Sequence, residues 1–401
     1  MRADDLLPRP LADYLAAPLT AQFPGRRAGQ ARFDGPAGTL VHAAVADAVA
    51  GYLAGPMVSN DGGAYPAGRH SDALADWARA AVRRLLGAPG GHVVFGPNMT
   101  TLTALFVRAA GEHVRPGDEI VCTELDHEAN VAPWRAMARR RGATVRTARL
   151  VEGTLPADAV AEVLTGRTRW VAVSAASNAL GSAPDVAAIC AAAHRVGARV
   201  YVDAVQAVPH RPVDAAAWGA DAVVASAYKF YGPHAGVLWI GDEAAEPLRL
   251  AEQPAPAGDD LPGRLELGTL AFEQLLGTAV AAEVLLGWDR AAVAEREAAL
   301  AGELAQVLET APGVRRVSPA GGDRVPVEVF YLPGVPAAEA AEAFAARGVS
   351  LTHGRFYAPG PMAAAAPGLP AALRAGVAGY TTGEDVAAFA GALKEVAADA
   401  G

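Results

Sequence analysis

Two residues set the chemistry open to this chain of 401 residues: Lys229 and Asp203. Residues 222–240, AVVASAYKFYGPHAGVLWI, read as an apolar strand, the run Ser226-Ala227-Tyr228-Lys229, a break at Gly232-Pro233, and a second apolar strand. A buried ammonium is costly, and the readiest relief is loss of its proton. The neutral amine is a nucleophile that condenses with an aldehyde to give a Schiff base. On its own, a lysine here would snorkel its charge to the surface. Asp203 changes that reading, because it stands 26 residues earlier at the end of another apolar run, Val200-Tyr201-Val202. A strand-end carboxylate and a strand-end lysine are the pair that pyridoxal 5'-phosphate (PLP) needs. The lysine holds the aldehyde carbon. The carboxylate pairs with the pyridinium nitrogen, so that the ring can draw electrons.

Such a pair needs a scaffold that gathers strand ends. Apolar runs at 93–95, 119–122, 144–147, 168–173 and 200–202 alternate with helical segments at 72–86, 157–164 and 184–196. In the first of these helices Leu74, Trp77, Ala78, Ala81, Val82 and Leu85 share one face. Repeated strand–helix units of this length predict an α/β fold, with a parallel sheet between helices and ligands at the carboxyl ends of strands. The run Gly96-Pro97-Asn98-Met99-Thr100-Thr101 lies at such an end, before an apolar helix expected from Leu102. Free N–H groups and the helix dipole favour a phosphate there, so Met99 and Thr100 are cofactor-phosphate candidates. A further helix at 41–53 precedes this core. After a helix at 270–288, helices at 290–310, 337–346 and 383–398 and strands at 326–332, 349–351 and 372–377 predict a smaller α/β unit. The expected division is a polar N-terminal arm (1–30), a large domain (31–280) and a small C-terminal domain (281–401).

Composition narrows the class. Hydrophobic residues make up 52% and charged residues 19%, which supports a large core. A net charge of -9 with no long basic run argues against nucleic acid as a partner. Arg139-Arg140-Arg141 reads as the C-terminal end of a helix, where the dipole favours cations. No apolar segment reaches membrane-spanning length, and the start, MRADDLLPRPLADYL, lacks the apolar core of a signal peptide. A cytoplasmic protein without membrane contact is expected. Cys122 and Cys190 lie in apolar contexts, EIVCTEL and VAAICAAAH, with neither disulfide nor metal-ligand spacing. Both read as buried, inert thiols, and no metal site is expected.

The runs Val202-Asp203-Ala204-Val205-Gln206 and Ser226-Ala227-Tyr228-Lys229-Phe230-Tyr231-Gly232-Pro233 resemble the signature of class V PLP enzymes. That group contains cysteine desulfurases and selenocysteine lyases. The similarity runs from about residue 33 to about residue 396. It is nearest to the cysteine desulfurase-like branch, which also resembles ergothioneine-pathway C–S lyases and isopenicillin-N epimerase. The resemblance implies PLP fold type I: a large, doubly wound, mostly parallel sheet domain with a smaller C-terminal α/β domain. It also implies roles for single residues. His127, in Leu125-Asp126-His127-Glu128-Ala129-Asn130, would stack on the pyridine face and relay protons near Cα. Asn178 and Gln206 would contact the phenolic oxygen, and Ser226 and Tyr228 would accompany Lys229 around the cofactor. Arg264-Leu265-Glu266-Leu267-Gly268-Thr269 resembles a run whose threonine reaches the phosphate of the other subunit, which implies a homodimer with shared active sites. The loops 33–39 and 59–65, the second containing Asn60, would lie at the substrate pocket or near the dimer interface. Arg374, in Arg374-Ala375-Gly376-Val377-Ala378-Gly379-Tyr380, would hold an α-carboxylate bidentately.

The chain departs from the desulfurase pattern at three places. Tyr228 stands where desulfurases carry a phosphate-binding histidine; it keeps a hydrogen bond and loses the charge. The loop that carries the persulfide-forming cysteine reads Gly354-Arg355-Phe356-Tyr357-Ala358, with Tyr357 at the sulfur position and Arg355 as a second carboxylate candidate. Thr352 replaces one family arginine. A persulfide needs a thiolate within reach of the substrate sulfur, and neither Cys122 nor Cys190 falls in that loop. The expectation is a PLP enzyme acting on an α-amino acid, by β-elimination of the C–S lyase type and not by persulfide formation. Transamination and epimerisation or cyclisation stay open, since all share Cα proton abstraction by Lys229. A non-catalytic binding protein of the same fold would be free to lose Lys229 or Asp203, and both are present.

Overall fold

Apolar runs without alternation become strands covered on both faces. In chain order the strands are β1 (Ala31–Arg32), β2 (His92–Gly96), β3 (Glu119–Thr123), β4 (Thr144–Ala148), β5 (Thr168–Ser174), β6 (Arg199–Asp203) and β7 (Ala222–Ser226). They continue with β8 (Gly236–Ile240), β9 (Arg315–Arg316), β10 (Val327–Tyr331), β11 (Val349–Ser350), β12 (Thr352–Gly354) and β13 (Ala372–Gly376). The computed structural model describes residues 1–250 and 261–399. The large sheet has the order β2-β8-β7-β6-β5-β3-β4. The strands from β7 to β4 in that order run parallel, and β8 runs antiparallel to both of its neighbours. Strands β3, β7 and β8 are buried at every residue. Helices Ala43–Ala54, Pro66–Leu85, Val186–Arg195 and Phe272–Gly287 pack into the core on one face, and Met99–Gly111 and Ala132–Arg141 into the core on the other.

Strand order places a reversal beside β3. The chain runs from β3 outward to β4, crosses back past β3 to β5, then continues to β6 and β7. Connections that part in opposite directions leave a crevice at the carboxyl ends of the two strands between them, here β3 and β5. Register sets Ser174, at the end of β5, beside Asp203, at the end of β6. Strand β7 ends at Ser226, and the 3-10 turn Ala227–Lys229 places Lys229 on the same rim.

The C-terminal unit is an antiparallel sheet, β12-β13-β10-β9, whose core is shared with helices Arg290–Thr310, Ala337–Ala346 and Gly383–Asp399. Strand β1 pairs in parallel with β11, so the chain touches this unit before it builds the large sheet. The expected strand at 349–351 is two strands, because the chain changes partner there: β11 joins β1 and β12 joins β13. The helix expected from Leu102 starts at Met99, where Asn98 caps it by accepting the Thr101 N–H at 2.9 Å. The helix expected from 72 starts at Pro66, a residue whose fixed φ suits a first turn. Nor is the arm only polar. Tyr14, Gln22 and Phe23 are buried, and Gln22 Oε1 accepts from Trp288 Nε1 at 3.0 Å. The expected boundary at 280 falls inside Phe272–Gly287, which stays in the large core as far as Leu285. Of the Pro/Gly-rich segment 253–263, residues 253–260 lie outside the described residues. Among the described residues, no helix is long and apolar enough to cross a membrane.

Candidate active site

A cavity of about 1220 Å³ opens over the carboxyl ends of the central strands. Lys229, Asp203, His127, Asn178 and Gln206 line it from the large sheet, and Arg374 lines it from β13. Met99, Thr100, Tyr228, Arg355 and Tyr357 also face it, and Pro36 and Ala37 bring in the N-terminal loop. Three expected site residues are not part of this lining. Ser226 is buried, with its Oγ accepting the Met99 N–H at 3.0 Å. Asn60 and Thr269 are exposed, away from the cavity of their own chain.

Burial governs the charges. Lys229 donates to the Pro36 carbonyl. Desolvation, helped by the like charge of Arg374 and opposed by Asp203, pulls its pKa from 10.5 to about 7. Such a lysine is a usable base and nucleophile near neutral pH. Asp203 Oδ1 accepts the Val205 N–H at 2.9 Å. Burial pushes its pKa up to about 7, with the Val205 N–H opposing, Asp126 adding to the rise and Lys229 opposing it. His127 is pulled down to about 4 by burial and then by Lys229 and Arg374, so its ring is neutral. Its Nδ1 accepts the Ala129 N–H at 3.0 Å, which assigns the ring proton to Nε2.

Arg374 is 5% exposed. Its Nη1 donates to the Asn178 carbonyl at 2.8 Å and its Nε to Thr352 Oγ1 at 3.1 Å. The guanidinium lies over the Phe356 ring at 4.6 Å. Burial lowers its pKa to about 9, which still leaves it cationic at neutral pH. No carboxylate among the described residues holds it, so a buried cation faces the cavity ready for an anion.

The loop after β12 roofs the site. Phe356 and Tyr357 adopt left-handed φ values of 58° and 52°, a conformation that costs about 1–2 kcal/mol per residue. Two bonds to the large domain offset that strain: Asn178 Nδ2 donates to the Phe356 carbonyl and the Glu128 N–H to the Tyr357 carbonyl, both at 2.7 Å. Tyr357 is 79% exposed, with its ring 5.7 Å from that of His127. The amides of Asn178 and Gln206 also serve the loops, and each NH2 keeps a second N–H beyond the bond it makes there. Each already donates to a loop carbonyl, Asn178 to Phe356 and Gln206 Nε2 to Pro36 at 3.0 Å.

The residues present fit PLP. Asn178 Oδ1 is buried without a hydrogen-bond partner. Asp203 is a buried carboxylate whose only hydrogen bond among the described residues is the one on Oδ1. In the first turn of Met99–Gly111, Ser226 takes the Met99 N–H and Asn98 takes those of Thr101 and Leu102. That leaves the Thr100 N–H to meet a phosphate, while its hydroxyl donates weakly to Met99 Sδ at 3.7 Å; the expected Met99 N–H is already engaged. Lys229 would hold the aldehyde carbon, Asp203 the ring nitrogen and His127 one ring face. The chain has only two lysines, and the other, Lys394, is exposed on the last helix. Sequence reasoning missed Ser174 and His353 in the lining, and Asp126 behind it. Ser174 was marked only by its place at a strand end, and Asp126 looked like an ordinary polar residue before a helix.

Residues 32–389 match the family model described as Aminotransferase class-V. A probable cysteine desulfurase of Mycolicibacterium paratuberculosis is 33% identical over 82% of this chain, and the chain spans 50% of that relative's length. A cysteine desulfurase of an Enterobacter species is 33% identical over 71% of this chain and 72% of its own. The cysteine desulfurase CsdA of Escherichia coli superposes with a TM-score of 0.86 at 27% identity, over 95% of this chain and 98% of that one.

Proposed function

The chain belongs to the class V aminotransferase family and is a PLP-dependent enzyme, and from that premise we propose that it cleaves the C–S bond of an α-amino acid by β-elimination, without loading sulfur onto a cysteine of its own. One observation carries this reading. The chain has two cysteines, Cys122 and Cys190, buried at 0% and 1% exposure, and neither lines the cavity. Burial raises the Cys122 thiol far above its ordinary pKa and pushes Cys190 up to about 12. A persulfide carrier must be an accessible thiolate. The roof loop presents Tyr357 to the cavity, and a phenol cannot store sulfur.

Residues of the chain supply the remaining steps. Arg374 binds the α-carboxylate and so aims Cα at Lys229. Lys229, neutral above a pH of about 7, takes the Cα proton. Bound PLP supplies the electron sink that makes this proton acidic. The Nε2–H of His127 and the hydroxyl of Tyr357 are the donors available to the leaving sulfur. A thiol leaves, and water completes release of the keto acid and ammonia. A homodimer sharing its sites through Thr269, in the reducing cytoplasm that suits two free thiols, completes the reading.

In the test, Cys122→Ala and Cys190→Ala are combined and S-substituted cysteines are supplied. Pyruvate and thiol should form at the wild-type rate, apart from packing losses at Cys122, and mass spectrometry should find no protein persulfide with L-cysteine. A persulfide on either cysteine overturns the reading. Turnover that requires an added keto acid would identify a transaminase instead. The names of the relatives favour a second reading, desulfuration of free cysteine. With these thiols buried, it would need an external thiol acceptor, so sulfide release that rises with added thiol marks it.

A further inference from the structure

Asp126 stands directly before His127 and is 2% exposed. Its carboxylate accepts four hydrogen bonds. Oδ2 takes the Thr123 N–H at 3.0 Å and the Thr123 hydroxyl at 2.6 Å; Oδ1 takes Asn130 Nδ2 at 3.0 Å and the Ser174 hydroxyl at 2.8 Å. These donors come from the end of β3, from the 3-10 turn Glu128–Asn130, and from the end of β5. One buried carboxylate therefore spans the crevice that the strand reversal opens between β3 and β5. Its bond to Ser174 reaches the cavity, because Ser174 lines it and pairs in register with Asp203. An ionised carboxylate can only accept, so the Ser174 hydrogen is committed to Asp126 and only its lone pairs remain for a ligand. Burial raises the Asp126 pKa to about 6, which leaves the group charged at neutral pH.

We propose that Asp126 is a positioning residue for the cofactor that acts through Ser174: it holds that hydroxyl as an acceptor beside Asp203, on the side of the cavity that takes a protonated ring nitrogen. This rests on PLP as the cofactor and not on which bond is cleaved. Asp126→Asn keeps the volume but places an NH2 group where two donors now point, and it frees the Ser174 hydrogen to turn into the cavity.

Apparent PLP affinity is read on the apoenzyme by fluorescence titration, alongside its melting temperature, for Asp126→Asn, Ser174→Ala and both together. No substrate is present, so failure of the C–S reading leaves this measurement untouched. Each single change should weaken PLP binding about tenfold. The double variant should be no weaker than the worse single one, as expected when one residue works through the other. Additive losses overturn the proposal, as does a Ser174→Ala protein with wild-type affinity. If Asp126→Asn does not fold, Ser174→Ala and Thr123→Val decide the matter. The first should weaken PLP binding with little change in melting temperature. The second, which cuts a bond on the far side of Asp126, should melt earlier and keep PLP affinity within about twofold. The opposite pattern overturns the proposal.

Discussion

Lys229 can be tested almost without background, because Lys394 is the only other lysine and is exposed on the last helix. Borohydride reduction of the PLP-loaded protein should fix the cofactor to one peptide, that of Lys229, and Lys229→Ala should abolish turnover and let PLP dialyse away. Reduction at Lys394, or an active Lys229→Ala protein, would remove Lys229 from the chemistry. Its environment also predicts a pH dependence. Burial and Arg374 destabilise the ammonium, so the amine should be free above a pH of about 7, not above 10.5. PLP capture by the apoenzyme should therefore accelerate as pH rises through about 7. Arg374→Gln removes a like charge and should move that midpoint up, while Asp203→Asn removes the opposing carboxylate and should move it down. Stopped-flow absorbance reads both directions, and midpoints that ignore both substitutions would mean burial acts alone. At this scale the sequence was most legible where the chemistry demands a residue type at a strand end, as with Asp203 at the end of β6 and Lys229 just beyond β7, whereas Arg374 sits mid-strand in β13. Partners were illegible where a side chain meets a distant carbonyl. Nothing local in sequence links Asn178 to Phe356 O, or Gln206 to Pro36 O.

The elements were legible as far as hydrophobic period and caps could mark them, since β3, β5 and β6 are near-continuous apolar runs. Leu351 shows the limit. A single run of β-formers there serves two sheets, and only the tertiary partners of β11 and β12 divide it. Close backbone approach is equally invisible in sequence, and Gly236 is the case that matters. It lies in β8, in register with Ser226 of β7 and Gly96 of β2. A Cβ added there would stand 2.4 Å from the Asn98 carbonyl carbon and 2.6 Å from its oxygen. Backbone cannot rotate aside as a side chain can, so Gly236→Ala must displace Asn98, the cap of Met99–Gly111. The expected cost is about 2 kcal/mol of stability, with weaker PLP binding because the phosphate turn moves with its cap. Gly302→Ala is the control, for Gly302 is exposed within Arg290–Thr310 and an added Cβ meets nothing within 4 Å. That change should stabilise by about 0.5–1 kcal/mol. Thermal melts of the two variants separate close approach from a general intolerance of alanine.

Exposed side chains give the whole molecule its own prediction. Thr269 and Asn60 are exposed away from their own cavity, and each has exposed apolar neighbours: Leu267 at 48% beside Thr269, and Val58 at 48% and Tyr65 at 52% around Asn60. Apolar surface beside candidate site residues suits a second copy of the chain, whose cavity would then receive Thr269. Shared sites have a consequence that separate sites lack. Lys229→Ala destroys the cavity that contains it, whereas Thr269→Glu would set a negative charge against the phosphate in the cavity of the partner. Either homodimer should be inactive or nearly so. In a mixed dimer, the Thr269→Glu chain keeps an intact Lys229, and its cavity receives an unaltered Thr269 from the Lys229→Ala chain. One of the two sites is therefore whole. Equal mixing with random re-pairing makes half of the dimers mixed, so about a quarter of wild-type activity should return. Light scattering and differential tagging verify that mixed dimers formed. If they form and no activity returns, or if the Thr269→Glu homodimer is fully active on its own, Thr269 does not complete the site of its partner.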